Sequence, residues 1–316
     1  MNKTEVAIGI DIGGTNTVLG MVSRNGKILE KTSMPTNADK PAAELFERIY
    51  NEIKILNLEK YKLKGIGVGA PNANYYSGCI ETPPNLSWEN VNVIDLLSKY
   101  FDIPIALTND ANAAALGEML FGVAKGMKNF IEITLGTGLG SGIVVNGKLV
   151  YGHDGFAGEL GHVIVKENGR KCGCGRKGCL ETYASATGIV TTVFELLKNS
   201  NDSVLKNYSS EKLNSKIIFE AAKNNDKIAL EAFDFTAKIL GKAIANAVAI
   251  TSPEAIILFG GLAKAGNLLF PFVKKYMEEN ILNIFKNKVK ILPSGLEESD
   301  AAILGSAALI WEEISK

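Results

Sequence analysis

The sequence predicts an α/β fold built from two similar units. Two observations carry this: strand-type and helix-type segments alternate along most of the chain, and one strand–turn–hairpin pattern occurs twice. The first copy is "VAIGIDIGGTNTVLGMVSRNGKILEK", residues 6–31, and the second is "FIEITLGTGLGSGIVVNGKLVYG", residues 130–152. Each reads as an apolar strand, a Gly-Thr turn, a second apolar strand, an Asn-Gly-Lys tip and a third strand. Asn-Gly between apolar runs marks a tight hairpin whose two turn residues both accept positive φ. A duplicated unit of this kind predicts two similar domains, each offering one Gly-rich turn to a cleft between them.

The remaining elements follow in order. "PAAELFERIYNEIKIL" has the apolar spacing of an amphipathic helix, and the strand "KGIGVGAP" follows it. "NVIDLLSKYF" reads as helix, "IPIALTND" as strand and "ANAAALGEML" as an Ala-rich helix. Residues 212–250 are mostly helical, ahead of the apolar strand "AIILFGG"; "FPFVKKYMEENIL" and "AAILGSAALIWEEI" are the last helices. No linker-like or low-complexity stretch interrupts the chain. The boundary is expected near 115, giving domains 1–115 and 116–299, with the final helix, about 300–316, a candidate to pack back onto the first.

Composition excludes several functions. The 316 residues carry 34 basic and 34 acidic side chains, so no net field favours nucleic acid or an anionic membrane. The first residues, MNKTEVAIGIDIGG, lack the apolar core and cleavage site of a signal peptide, and no apolar run reaches the ~18 residues of a membrane helix. The chain is therefore expected in the cytoplasm, where thiols stay reduced.

"GIDIGGTN" places Asp11 at a strand end and Gly13, Gly14, Thr15 and Asn16 in the turn. Glycines let backbone N–H groups converge on an anion, and the Thr and Asn side chains donate further. Asp11 repels phosphate but suits the water shell of the Mg²⁺ that accompanies ATP. "LGTGLGSG" offers the matching turn through Gly136, Thr137 and Gly138, so the pair predicts a phosphate clamp. The stretch Gly142–Lys148 has P-loop spacing, but Leu149 stands where a Mg²⁺-binding hydroxyl belongs and a hairpin replaces the helix. Gly260-Gly261, after a buried strand, allows either close approach of adenosine or a plain strand-to-helix turn.

"TNDANAAALGE" ends a strand at Asn109-Asp110 and opens a helix. Taken alone, Asp110 is a helix N-cap. Beside a phosphate clamp, it is the carboxylate that takes a proton from an attacking sugar hydroxyl, with Asn109 orienting that hydroxyl.

Three of the four cysteines fall in "KCGCGRKGCLE", residues 171–181, and "GELGH" places His162 before them. His162, Cys172, Cys174 and Cys179 make the one-nitrogen, three-sulfur set of a closed structural zinc site. Cys79 lies far off and reads as a small apolar residue. If zinc fixes one nitrogen of His162, then Glu159, Glu181 and the other ring nitrogen form an array suited to the vicinal hydroxyls of a sugar.

These motifs, with "GVGAPNANYYSGCIETPPNL", resemble the ROK family of bacterial sugar kinases and repressors along essentially the whole chain, most closely its ATP-dependent glucokinases. The resemblance implies two actin-like, ribonuclease H-like ATPase domains of the hexokinase type, closing on ATP-Mg²⁺ and a hexose. It implies Asp110 as base, Asn85, Asn109, Glu159, His162 and Glu181 as sugar ligands, and a 6-phosphate product. A homodimer is also implied. Kinases for N-acetylmannosamine, N-acetylglucosamine or fructose would use the same carboxylates, and a sugar-sensing binding protein is the non-enzyme alternative. The family's repressors carry a helix-turn-helix ahead of the first turn, and only ten residues precede Asp11, so a repressor is not expected. Val18 departs from the Arg or Lys that many members carry after the first turn.

Overall fold

A computed structural model describes residues 3–56, 60–83, 86–200 and 202–315. The chain forms two compact units: Met1–Gly126 with Leu149–Ala157 and Gly295–Lys316, and Met127–Lys148 with Gly158–Ser294. The boundary expected near 115 falls instead inside a continuous helix, Asp110–Leu120. That helix is buried on both sides of position 115, from Ala111 through Glu118, so its packing holds it in one unit.

In the first unit the strands are β1 (Thr4–Ile12), β2 (Asn16–Ser23), β3 (Ile28–Pro35), β4 (Tyr61–Gly69), β5 (Ala73–Asn74), β6 (Cys79–Glu81), β7 (Asn90–Asn92) and β8 (Ile105–Thr108). Its helices are α1 (Ala42–Ile55), α2 (Val93–Ser98), α3 (Asp110–Leu120) and the C-terminal α8 (Glu298–Glu313). The main sheet runs β3-β2-β1-β4-β8, and β5-β6-β7 form a small antiparallel sheet. Alternation along β1 decides which side is covered by what. Val6, Ile8 and Ile10 join Phe46, Ile49 and Ile53 of α1 and Leu97 of α2 in one core. Ala7, with Val22, meets Ile303, Ala307 and Ile310 of α8 on the other side. Gly9 and Gly67 let α8 lie this close: a methyl group there would strike the Ile303 and Ser306 carbonyls.

The second sheet comprises β9 (Phe130–Leu135), β10 (Leu139–Val145), β11 (Lys148–Leu149, where the chain leaves the second unit), β12 (Ala255–Phe259) and β13 (Lys290–Pro293), in the order β11-β10-β9-β12-β13. Helices α4 (Ala186–Leu197), α5 (Ser215–Lys223), α6 (Lys227–Thr251) and α7 (Phe270–Asn280) complete the second unit. In each main sheet the first strand pairs antiparallel with its hairpin partner and parallel with a later strand, which pairs parallel with the last. The repeat in the sequence is therefore a repeat of topology. The two tips differ in detail. Asn146 and Gly147 both take positive φ, whereas in the first tip Gly26 does and Asn25 does not. There the loop is wider, closed by Ser23 N–H to Lys27 O at 3.0 Å.

The long helix α6 begins at Asp226, whose side chain accepts the Ala229 N–H, and ends at Ser252 in the left-handed region just before Pro253. Its apolar stripe, including Phe233, Leu240, Ile244 and Val248, forms the core with Ile131, Ile133 and Leu135 of β9. Among the described residues, no helix is long and apolar enough to cross a membrane.

Candidate active site

In the first unit, Gly13–Asn16 form a closed turn between β1 and β2, with Gly13 N–H donating to Asn16 O at 3.0 Å. Thr36 braces it from the end of β3. The Thr36 N–H donates to Thr15 O at 2.8 Å, and its hydroxyl donates to Gly13 O at 2.7 Å. Buried Thr17 joins the same hydroxyl at 3.0 Å. Nothing local in "PTN" signals this role, because Thr36 acts across two strands.

Asp11 lies directly across from Val18 on β2 and Gly69 on β4, and Gly69 pairs with Thr108 on β8. Paired residues project from one side of the sheet, so Val18 lays an apolar neighbour beside Asp11 where a cation would have stabilised its charge. Burial, and then the charge of Asp110, raise the Asp11 carboxyl to about 7. A divalent cation would relieve both effects, so this carboxylate suits the role of magnesium ligand.

The cap of α3 is Asn109 and not Asp110: Asn109 Oδ1 accepts the Asn112 N–H at 2.7 Å. Among the described residues, none accepts a hydrogen bond from its Nδ2 group. Asp110 is the first helical residue, and its Oδ1 accepts the Ala111 N–H at 2.9 Å. The Asp110 side chain reaches solvent although protein crowds it on most sides, and this desolvation raises its carboxyl above the ordinary range. A carboxyl raised above the ordinary range is a better proton acceptor once ionised.

In the second unit, Gly136–Gly138 turn from β9 into β10 and are braced from the start of α4. Gly136 O accepts the Ala186 N–H at 2.8 Å, and Thr137 O accepts the Thr187 hydroxyl at 2.8 Å. Ser185, the α4 cap, meets Thr187 at 3.0 Å. The "SAT" ahead of an apolar-periodic run was a readable cap signal for this brace. Gly138 faces Glu181, since a methyl group there would sit 2.7 Å from Glu181 Oε2.

Gly260 has a plain structural reason to be glycine. Its φ is +95°, and an added methyl would lie 2.8 Å from Leu135 O, immediately before the Gly136–Gly138 turn. Gly261 differs, with nothing within 4 Å of such a methyl. It borders a cavity of ≈ 380 Å³ lined by Phe219, Phe233, Leu262 and Ala265, with Lys216 and Glu220 among its polar residues.

The cysteine loop closes as a metal centre would require. One donor atom from each of His162, Cys172, Cys174 and Cys179 lies within 4.8 Å of the others. His162 Nδ1 to Cys172 Sγ is 3.6 Å, and Cys174 Sγ to Cys179 Sγ is 3.6 Å. Both are close to the edges of a zinc tetrahedron, ~3.5 Å for nitrogen to sulfur and ~3.7 Å for sulfur to sulfur with bonds of ~2.0 and ~2.3 Å. Burial pushes the Cys172 and Cys179 thiols up, whereas Arg176 pulls the exposed Cys174 down to about 6. Buried thiols of this kind become good ligands when a cation balances their charge, so the donor set fits zinc. Nδ1 of His162 faces the thiols and lies 3.7 Å from Glu181 Oε1, while Nε2 lies 3.9 Å from Glu159 Oε2.

The residues expected at the site divide between the units: Asp11, Gly13–Asn16, Asn109 and Asp110 lie in the first, and Gly136–Gly138, Glu159, His162, Glu181, the three cysteines and Gly260-Gly261 in the second. Asn85 lies outside the described residues.

Residues 7–313 match the ROK family. A glucokinase from Thermotoga maritima is 37% identical over 97% of this chain and 98% of its own. The crystal structure of a ROK family glucokinase from Streptomyces griseus, in complex with glucose and AMPPNP, superposes with a TM-score of 0.81 at 30% identity, covering 97% of this chain and 99% of that one. A xylose repressor from Caldicellulosiruptor bescii is 30% identical over 97% of this chain and 78% of its own.

Proposed function

The chain belongs to the ROK family, and on that footing we propose that it is an ATP-dependent hexose kinase that converts glucose to glucose 6-phosphate. Its similarity to glucokinases, one of them bound to glucose and an ATP analogue, supports the substrate pair. The observation that carries the chemistry is the division of labour at the start of α3. Asn109 supplies the helix cap, which leaves the Asp110 carboxylate beside Asp11, free of the capping role and bonded to backbone N–H groups of its own and of Ala111.

Asp110 accepts the proton of the sugar's 6-hydroxyl as that oxygen attacks the γ-phosphorus. The oxygen's electron pair forms the new P–O bond, the bond to the β-γ bridging oxygen breaks, and ADP leaves. Asn109 Nδ2 orients the attacking hydroxyl. Glu159, Glu181 and Nε2 of His162 hold the remaining hydroxyls, and Asn85 is assigned to the same sugar. The turns Gly13–Asn16 and Gly136–Gly138 hold the phosphates through backbone N–H groups. The cavity beside Gly261 takes the adenosine between apolar side chains. Asp11 would hold Mg²⁺, which supplies charge neutralisation on the transferring phosphoryl group. His162, Cys172, Cys174 and Cys179 would hold zinc, which fixes the His162 ring for sugar binding. We further expect a cytoplasmic homodimer, which light scattering would report as twice the 33.9 kDa chain mass.

The test is ADP release from ATP-Mg²⁺ against glucose, mannose, fructose, N-acetylglucosamine and N-acetylmannosamine. Glucose should give the highest kcat/KM. An acetamido sugar or fructose in first place would keep the mechanism and overturn the substrate, and no turnover with any sugar would favour a sugar sensor.

A further inference from the structure

Arg170 begins the cysteine loop, bonds to Thr182 beside Glu181, and has no role in the chemistry above. Its guanidinium has five N–H donors, and each is engaged. Nη1 donates to Thr182 O at 2.6 Å and Gly188 O at 3.1 Å. Nη2 donates to Thr192 Oγ1 at 2.9 Å and Glu195 Oε2 at 2.7 Å, and Nε donates to Glu195 Oε1 at 3.0 Å. The plane of the group also lies over the buried Tyr183 ring, 4.5 Å from its centre, and the Arg170 N–H donates to the Tyr183 hydroxyl at 2.9 Å.

These partners fall on two elements. Thr182 and Tyr183 end the 3-10 turn Leu180–Thr182, which carries Glu181 at its centre. Gly188, Thr192 and Glu195 lie along one face of α4. The turn already presses on α4 at Gly188, where a methyl group would lie 3.0 Å from Glu181 O. On its other side the turn is tied to the metal loop, because Cys179 O accepts both the Thr182 N–H at 3.1 Å and the Thr182 hydroxyl at 2.7 Å. Glu181 therefore sits between two anchors. The cysteines hold the turn's start, and Arg170 clamps its end to α4.

We propose that Arg170 is the positioning residue for Glu181, locking the turn that carries this carboxylate onto α4 independently of the metal ligands. Because the bidentate fork and the carbonyl contacts need a planar group with five donors, lysine should fill the role only in part. The inference rests on Glu181 being a sugar ligand.

The experiment is a double-mutant cycle on the zinc-loaded protein with Arg170→Met, Glu181→Gln and the pair, measuring kcat/KM for glucose, KM for ATP and zinc per chain. Arg170→Met should lower kcat/KM for glucose between ~10- and ~100-fold, with zinc content and KM for ATP unchanged, since ångström-scale misplacement costs that much. In the Glu181→Gln background the same change should cost no more than ~2-fold, because the two act as one unit. Arg170→Lys should recover part of the loss. Equal losses in both backgrounds, or a loss matched by missing zinc, would overturn the positioning role. Glu181→Gln with wild-type sugar kinetics would sink the sugar-ligand reading instead; an impaired Glu181→Gln beside an unimpaired Arg170→Met would sink the positioning role alone. Should Arg170→Met not fold, the cycle run with Arg170→Lys decides by the same criterion of non-additivity.

Discussion

Asn109 is asked to do two jobs with two atoms, and substitution can separate them. Its Oδ1 caps α3 through the 2.7 Å bond from Asn112 N–H, and its Nδ2 is assigned to the sugar. Serine keeps a capping oxygen and loses the amide donor, whereas alanine loses both. Loss of the cap should cost ~1 kcal/mol of stability, so Asn109→Ala should lower the urea midpoint and Asn109→Ser should hold it. Loss of one sugar hydrogen bond, worth ~1 kcal/mol, lowers kcat/KM for glucose roughly fivefold in the serine variant. Alanine should lose on the order of tenfold more, because Asp110 is the next residue and its Oδ1 bond to Ala111 N–H depends on the same first turn. Urea denaturation and steady-state kinetics with glucose varied read the two effects separately. A serine variant with wild-type kcat/KM would refute the sugar role. Equal kinetics for serine and alanine, with different stabilities, would refute the claim that the cap positions the base.

Other consequences are as direct. Asp11 stands at about 7 when folded against an ordinary 3.8, so between those values the native protein binds more protons than the unfolded chain. Without divalent cation, stability should therefore fall as pH rises from the ordinary carboxylate range through 7, and Asp11→Asn should flatten that slope; a metal-free stability that climbs over the range contradicts the assignment. Stripping zinc with a strong chelator should cut kcat/KM for glucose while calorimetry shows ATP binding retained, and an equal loss of both would mean the loop serves general folding. Gly260→Ala should destabilise by more than ~1 kcal/mol, since alanine is strained at that φ and meets Leu135. Gly261→Ala should leave stability alone and weaken ATP binding, and the reverse pattern would remove the adenosine from this cavity.

What the sequence made legible was local. Each Gly-Thr turn, its hairpin and the Cys-x-Cys spacing are contiguous, so period and punctuation betray them. Where contacts join distant segments, the signal fades. The boundary expected near 115 is an example: α3 remains in the first unit because α8, almost two hundred residues later, packs against it. Thr36 and Thr187 brace the turns across gaps of similar kind, and Arg170 is one cation among 34 basic residues until its five partners are seen. The Asn109-Asp110 pair lies between these cases. A cap was expected there, but both residues are good caps, and only backbone placement decides which one is spent on the helix.

The proton's proposed acceptor is Asp110, and one measurement addresses it most directly: kcat for Asp110→Asn with saturating glucose and ATP-Mg²⁺, beside glucose affinity by calorimetry. The amide is nearly isosteric, can still accept the Ala111 N–H, and cannot take the hydroxyl proton. With the base removed, kcat should fall ~10²–10⁴-fold with glucose still bound. A variant that turns over at close to the wild-type rate would contradict this, and the proton would have to go elsewhere.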